Sequence, residues 1–121
     1  MKTPGPDHPI RVVQNRNRVR VRFAGRVVAD TTRALSLAEA SYRPVHYIPR
    51  DDVDMTLLTR SAHQTHCPYK GDAAYYSIAA DGRTAENAVW TYEQPYPAVA
   101  TIAGHLAFYR NPVDAIEETP A

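Results

Sequence analysis

Hydrophobic and polar residues alternate strictly over residues 18–23, where a valine or phenylalanine follows each arginine. A period of two predicts a β-strand with one buried face and one face that carries Arg18, Arg20 and Arg22. The alternation breaks at Ala24-Gly25 and then resumes, which predicts a hairpin. We interpret the arginine row as charge that protects a sheet edge, with an anion site as the alternative.

Short apolar runs extend this β pattern along the chain. Asp81-Gly82 predicts a hairpin turn, whereas the proline and glycine within residues 61–72 predict a loop. Pro97 and Gly104 are typical of the start and the end of one short helix near 97–103. Further strands are predicted at 33–37, 45–48, 73–78, 83–92 and 105–109. The expected fold class is mainly β and antiparallel.

The length of 121 residues is typical of one domain. We predict a flexible proline-rich lead-in at 1–9, a single β domain at 10–114 and an acidic tail at 115–121 that frays. A single cysteine precludes an internal disulfide and fits a reducing compartment. The sequence has no apolar run of about 20 residues and no apolar stretch near its start. We therefore expect a cytoplasmic protein with no membrane partner.

The charge is uneven along the chain. Residues 1–43 hold nine of the fourteen basic residues and three of the thirteen acidic ones. Such asymmetry can indicate a nucleic-acid surface. The basic stretch, however, lacks interleaved aromatic residues for base stacking, so we predict no nucleic-acid partner. The oligomeric state is left open.

Three residues are candidates for catalysis. Glu86 is predicted to share a strand face with Trp90, where partial desolvation would raise its pKa towards that of a useful acid or base. A cross-strand ion pair with Lys70 is the alternative. Cys67 would be a nucleophile if an imidazole activated it. His66 is its neighbour in sequence, and His105, approaching from the opposite side, is the better geometrical candidate, although a buried structural thiol explains the same residue.

No metal site or cofactor is predicted. The spacing of His63 and His66 is compatible with zinc, but His66 and Cys67 are neighbours and would point to opposite faces of an extended chain. The motifs expected for nucleotidyl transfer are also missing from the sequence. A P-loop is absent, and the one Asp-x-Asp sequence, at residues 52–54, has no Gly-Ser dipeptide before it.

Aromatic residues are concentrated in the second half of the chain, and adjacent pairs such as Tyr75-Tyr76 must face opposite sides of a strand. One member of each pair is then available to line a cavity, although packing of a β core is the alternative. The candidate ligand-binding residues are Lys70, Tyr76, Trp90, Tyr92, Tyr96, His105 and Tyr109.

Three ordered blocks of sequence resemble a known family: THCPYKGDA at 65–73, AENAVWTYE at 85–93 and IAGHLAFY at 102–109. The chain resembles the bacterial family called domain of unknown function 427, which is also catalogued as nucleotidyltransferase-like. The resemblance spans about residues 8–114. It implies a compact antiparallel β fold of the tent-like kind, with a cavity between its sheets, and it implies little about chemistry.

Three functions are compatible with these features. The leading hypothesis is a small-molecule-binding β domain whose pocket is formed by segments 63–72, 85–93 and 96–109. Lys70 would then hold an anionic group, Glu86 and His66 would provide hydrogen bonds or proton transfer, and Trp90 would stack on the ligand. The alternatives are an enzyme, a transferase or hydrolase acting on a nucleotide-like or phosphorylated metabolite, and a protein-interaction domain that uses the arginine-rich hairpin.

Overall fold

The computed structural model describes all of residues 1–121 and contains ten β-strands. Three short 3-10 helices, Arg50–Asp52, Met55–Leu57 and Pro97–Ile102, lie between them. The mainly β prediction is confirmed. The strands are β1 (Ile10–Asn15), β2 (Arg18–Phe23), β3 (Arg26–Thr31), β4 (Ala34–Glu39), β5 (Val45–Tyr47), β6 (Leu58–Cys67), β7 (Gly71–Ala80), β8 (Arg83–Thr91), β9 (Leu106–Phe108) and β10 (Ala115–Thr119).

The strands form three antiparallel sheets, in the orders β1-β4-β5, β10-β2-β3 and β6-β7-β8-β9. Backbone hydrogen bonds between Ile48 and Leu106 join the first sheet to the third. Both predicted hairpin turns are present. Ala24-Gly25 and Asp81-Gly82 have positive φ at both central positions, as the tightest hairpin turns require.

The interpretation of β2 as a protected sheet edge is wrong, because β10 and β3 pair with its two sides. Its arginines face carboxylates of those neighbouring strands. Arg18 forms two hydrogen bonds to Asp30, at 2.6 and 2.9 Å, and Arg22 donates to Glu117 at 2.7 Å. The arginine row is therefore largely neutralised within its own sheet.

Two segments predicted to be irregular are strands. Residues 61–67 belong to β6, which pairs with β7 across the turn at residues 68–70, so the loop prediction for 61–72 is wrong. β6 is an edge strand exposed at most positions, and no apolar alternation marks it. The prediction that the acidic tail frays is also wrong, because residues 115–119 pair with β2.

The predicted helix is present as the 3-10 segment Pro97–Ile102, which is kinked at Val99. The first nine residues, which were predicted to be a flexible lead-in, make specific contacts with the rest of the chain. The backbone N–H of Lys2 donates to the carbonyl of Pro68 at 2.7 Å, and the His8 ring stacks on Tyr69. None of the helices is long and apolar enough to cross a membrane. The cytoplasmic location remains a prediction.

The buried residues form two clusters on opposite faces of β7 and β8. The larger contains Tyr76, Val89 and Phe108 and packs against β2 and β3. The smaller contains Tyr75 and Tyr92 and packs against β4, β5 and the 3-10 segment 97–102. The prediction that adjacent tyrosines at 75 and 76 face opposite sides is confirmed.

Candidate functional site

Six aromatic side chains surround a cavity of about 250 Å³ between the first and third sheets. We call it the aromatic cavity. Its walls come from β4, β5, β7, β8 and the segments that follow β4 and β9, because antiparallel pairing brings these distant parts of the chain to one side of the molecule. The aromatic residues are Tyr42, Tyr47, Tyr75, Trp90, Tyr92 and Tyr109.

Hydrogen bonds and ring contacts order these aromatic side chains. The Trp90 indole N–H donates to the Tyr47 hydroxyl at 3.2 Å, and the Trp90 and Tyr109 ring centroids are 4.4 Å apart. The hydroxyls of Tyr75 and Tyr109 are 3.2 Å apart. Burial raises the pKa of Tyr47 and of Tyr92, and it raises the pKa of Tyr109 to about 12. The phenols therefore remain neutral hydrogen-bonding groups near neutral pH.

A nearly buried ion pair also lines the aromatic cavity. Lys70 Nζ donates to Glu39 Oε1, and the two side chains are 11% and 15% exposed. His8 Nε2 lies 2.8 Å from the other carboxylate oxygen of Glu39. Burial raises the pKa of Glu39, but the hydrogen bonds from Lys70 and His8 outweigh it and leave the pKa below its ordinary value. The carboxylate is thus held ionised, and its charge is matched by the ammonium group.

A second cavity, of about 270 Å³, borders the aromatic cavity at Trp90 and Tyr109. We call it the apolar cavity. Aliphatic and aromatic residues provide most of its wall, and Arg43, His46 and Arg110 are its basic residues. It shares Arg43, Val45, Trp90 and Tyr109 with the aromatic cavity. The apolar residues found only here are Val19, Val21, Pro44, Ile48, Phe108 and Ile116.

Four of the predicted ligand-binding residues line the aromatic cavity: Lys70, Trp90, Tyr92 and Tyr109. The other three lie elsewhere. Tyr76 faces the larger core cluster, with its hydroxyl accepting from Arg50 at 3.2 Å. Tyr96 packs edge-on to His66, and His105 Nδ1 lies 3.1 Å from the carbonyl of Ala103 in its own loop.

Glu86 does not line the aromatic cavity with Trp90. The pairing of β7 with β8 shifts register between Tyr76 and Ile78, and Asn87 has a φ of 53°. This bulge breaks the two-residue period between 86 and 90, so the expectation based on a regular strand is wrong. Glu86 is exposed and lines a separate polar groove with Ser61 and His63.

The other two predicted catalytic residues lie at the end of β6. His66 is exposed, and its Nδ1 is 2.6 Å from Asp72 Oδ1. Cys67 is half-buried and packs against the smaller core cluster. Neither residue lines the groove that holds Glu86 or the aromatic cavity. The three candidate catalytic residues, Glu86, His66 and Cys67, therefore do not form one site.

The carboxylates of the Asp-x-Asp sequence have protein partners. Asp52 accepts hydrogen bonds from Thr31 at 2.7 Å and from Arg33 at 3.2 Å. Asp54 accepts from both the backbone and the hydroxyl of Thr56 at the start of a 3-10 helix. No group of three or more His, Cys, Asp or Glu side chains is arranged to hold a metal ion.

Glu39, Tyr42, Tyr47 and Tyr75 also line the aromatic cavity, and none of them was predicted to do so from the sequence. One local signal was available for Tyr47, because Val45 and Tyr47 share a face of a predicted strand and both line the cavity. Glu39 shares a face of β4 with Leu37 in the same way. Its pairing with Lys70, 31 positions away, depends on how two sheets pack.

Comparison with known proteins identifies the family of this chain. A search of curated proteins gives no match. A family model matches residues 11–119, from the first strand to the last, and is described as a domain of unknown function (DUF427) under a label that refers to nucleotidyl transfer. The match covers both cavities and every strand of the three sheets, so the chain belongs to the DUF427 family.

Proposed function

We propose that this DUF427 domain binds a small, flat organic molecule in the aromatic cavity. The observation that carries the proposal is the combination in one cavity of six aromatic side chains with a nearly buried Glu39–Lys70 pair. Ligand sites typically have apolar and aromatic walls with a few fixed polar groups that orient the ligand. A volume of about 250 Å³ lies below the common range of about 300–1,000 Å³, which favours a compact ligand of one or two rings.

The charge of the site favours a ligand that is neutral overall. The Glu39 carboxylate already neutralises Lys70, so an anionic ligand would have to displace it from the ammonium group. A polar ring that carries one hydrogen-bond donor and one acceptor can instead form hydrogen bonds to the Glu39 carboxylate, to the Lys70 ammonium group and to the tyrosine hydroxyls. This revises the expectation that Lys70 holds an anionic group.

The aromatic walls supply most of the expected binding energy. Trp90 and Tyr109 form one wall, and the rings of Tyr47 and Tyr92 are 6.4 Å apart at the base. A flat ligand stacked on such a surface gains apolar burial and ring contacts together. The protein-interaction hypothesis has less support, because Arg18 and Arg22 are paired with acids of the same sheet.

The proposal is tested by a thermal-shift screen of the intact protein against nucleosides, free nucleobases and small aromatic amides. A ligand at about 100 times its Kd stabilises the fold by about 2.7 kcal/mol, so true ligands raise the Tm measurably. Tyr42 is 69% exposed, which makes Tyr42→Ala a mild variant for folding. Compounds that stabilise the wild type should stabilise Tyr42→Ala and Trp90→Phe much less.

A matched control is Val13→Ala, which shortens an exposed apolar side chain on β1 outside both cavities. It should respond like the wild type. If every stabilising compound acts equally on Tyr42→Ala, Trp90→Phe and Val13→Ala, or if no flat compound raises the Tm, the aromatic cavity is not the binding site.

A further inference from the structure

We propose that the apolar cavity is a second site, which binds a small hydrophobic carboxylate with its chain in the cavity and its head group on Arg110 and Arg43. This goes beyond the function proposed for the aromatic cavity, because it assigns a different ligand to a different space. The two spaces have a common wall at Trp90 and Tyr109.

The lining is too apolar to hold ordered water well. The apolar cavity is lined by Val21 of β2, Phe108 of β9 and Ile116 of β10, which contribute aliphatic and aromatic surface. Its volume of about 270 Å³ is about nine times the roughly 30 Å³ that one water occupies in the liquid. Water there has few polar partners, so an alkyl chain that displaces it gains affinity.

The charged groups of the apolar cavity are all basic. Arg43 and Arg110 line it, and neither forms an ion pair with a carboxylate of the chain. His46 is the only other titratable group of the wall besides Tyr109, and its Nε2 lies 3.2 Å from Glu118. Glu118 in turn accepts from Asn15 and Asn17.

Two unpaired guanidinium groups at an apolar cavity select for a ligand with one negative end. A guanidinium group binds a carboxylate through two parallel hydrogen bonds, which fixes the head group and leaves the chain to enter the cavity. A neutral alcohol of the same length would fill the cavity but gain no ion pair with Arg43 or Arg110, which are exposed and would stay hydrated. The chemistry therefore indicates a monocarboxylate with a short alkyl or aryl body.

The first experiment titrates the full chain with a series of linear carboxylates, from butanoate to dodecanoate, by calorimetry and by the fluorescence of Trp90, the single tryptophan. Each methylene that enters the apolar cavity should raise affinity about fourfold, until the cavity is full. Octanoate should bind at least tenfold more tightly than 1-octanol. Equal affinity for the acid and the alcohol, or no dependence on chain length, would overturn the proposal.

Variants separate this cavity from the aromatic one. Arg110→Gln should weaken octanoate about tenfold and leave 1-octanol unchanged, whereas Arg11→Gln, a control at an exposed position on β1, should change neither. Ile116→Trp should block both ligands by filling the cavity. Ile116 is only partly buried, and urea unfolding checks that this variant folds.

Lys70→Met distinguishes failure of this proposal from failure of the proposed function. Lys70 lines only the aromatic cavity, so octanoate affinity should not change in this variant. Loss of octanoate binding in Lys70→Met but not in Ile116→Trp would place the anion in the aromatic cavity and overturn the assignment. An acetylated tetrapeptide ending in leucine presents the same carboxylate on a bulkier body, and tighter binding of the peptide than of octanoate would also overturn it.

Discussion

The Glu39–Lys70 pair gives a quantitative prediction about the aromatic cavity. Both side chains are at least 85% buried, and each is the closest charged partner of the other. Removing one member of a buried pair typically costs about 3–5 kcal/mol, because the remaining charge has lost its compensation. Glu39 retains His8 as a second partner, at 2.8 Å, which reduces the loss when Lys70 is replaced.

From these contacts we expect Lys70→Met to lower the free energy of unfolding by about 2–3 kcal/mol and Glu39→Gln by about 2–4 kcal/mol. The double variant should lose less than the sum of the two, with a coupling free energy of at least about 1.5 kcal/mol. Replacing both charges leaves no unpaired ion behind, which is the physical reason for the coupling.

Urea unfolding of the wild type, the two single variants and the double variant measures this coupling. The control is Asp30→Asn, which breaks the exposed Arg18–Asp30 pair. Those side chains are 45% and 39% exposed, so the loss should stay below about 1 kcal/mol. Single-variant losses no larger than the control, or strictly additive losses, would refute the view that this pair is a desolvated and mutually dependent unit.

Three further predictions concern acid stability, turn strain and a buried hydroxyl. The pKa of Glu39 is lowered in the folded chain, so the carboxylate's contribution to the free energy of unfolding is complete above its ordinary pKa of 4.5 and declines as the pH falls through the folded pKa. The difference in stability between wild type and Glu39→Gln, followed by urea unfolding from pH 7 to pH 3, should therefore shrink below about pH 4.5. A difference that grows below that pH would contradict a lowered pKa. Ala24 has a φ of 51°, so Ala24→Gly should stabilise the hairpin by about 0.5–1 kcal/mol in thermal unfolding, whereas Ala38→Gly, within β4, should destabilise by a similar amount. Thr91 is buried and donates to a backbone carbonyl at 2.8 Å, so Thr91→Val should cost about 1–2 kcal/mol in urea unfolding, whereas exposed Thr84→Val should stay within about 0.5 kcal/mol.

Local pattern accounted for most of the strands and turns. The alternation at 18–23 and the dipeptides Ala24-Gly25 and Asp81-Gly82 predicted two hairpins that the structure contains. Pattern failed where a strand has no alternation of apolar and polar residues. β6 is exposed at most of its positions, and β10 is a short acidic strand whose stability depends on pairing with β2.

The candidate site was predictable only in part. Lys70, Trp90, Tyr92 and Tyr109 were identified because aromatic and polar residues cluster in the second half of the chain. Glu86 was misplaced because a bulge interrupts β8 between Ala85 and Val89, and nothing in the local pattern indicates it. Three residues of β8, 86–88, lie opposite Ser77 alone, so one irregularity is enough to separate Glu86 from the cavity that Trp90 lines.

By itself, the sequence determined the fold class, the main hairpins and the opposite directions of neighbouring tyrosines, because these depend on the two-residue period of a strand and on turn residues that tolerate positive φ. Tertiary structure alone decided that Glu39 would be the partner of Lys70, that the tail would complete the sheet beside β2, and that two cavities would share Trp90. These features depend on which sheets pack together and at what register, and such contacts join residues that are tens of positions apart and carry no local signal.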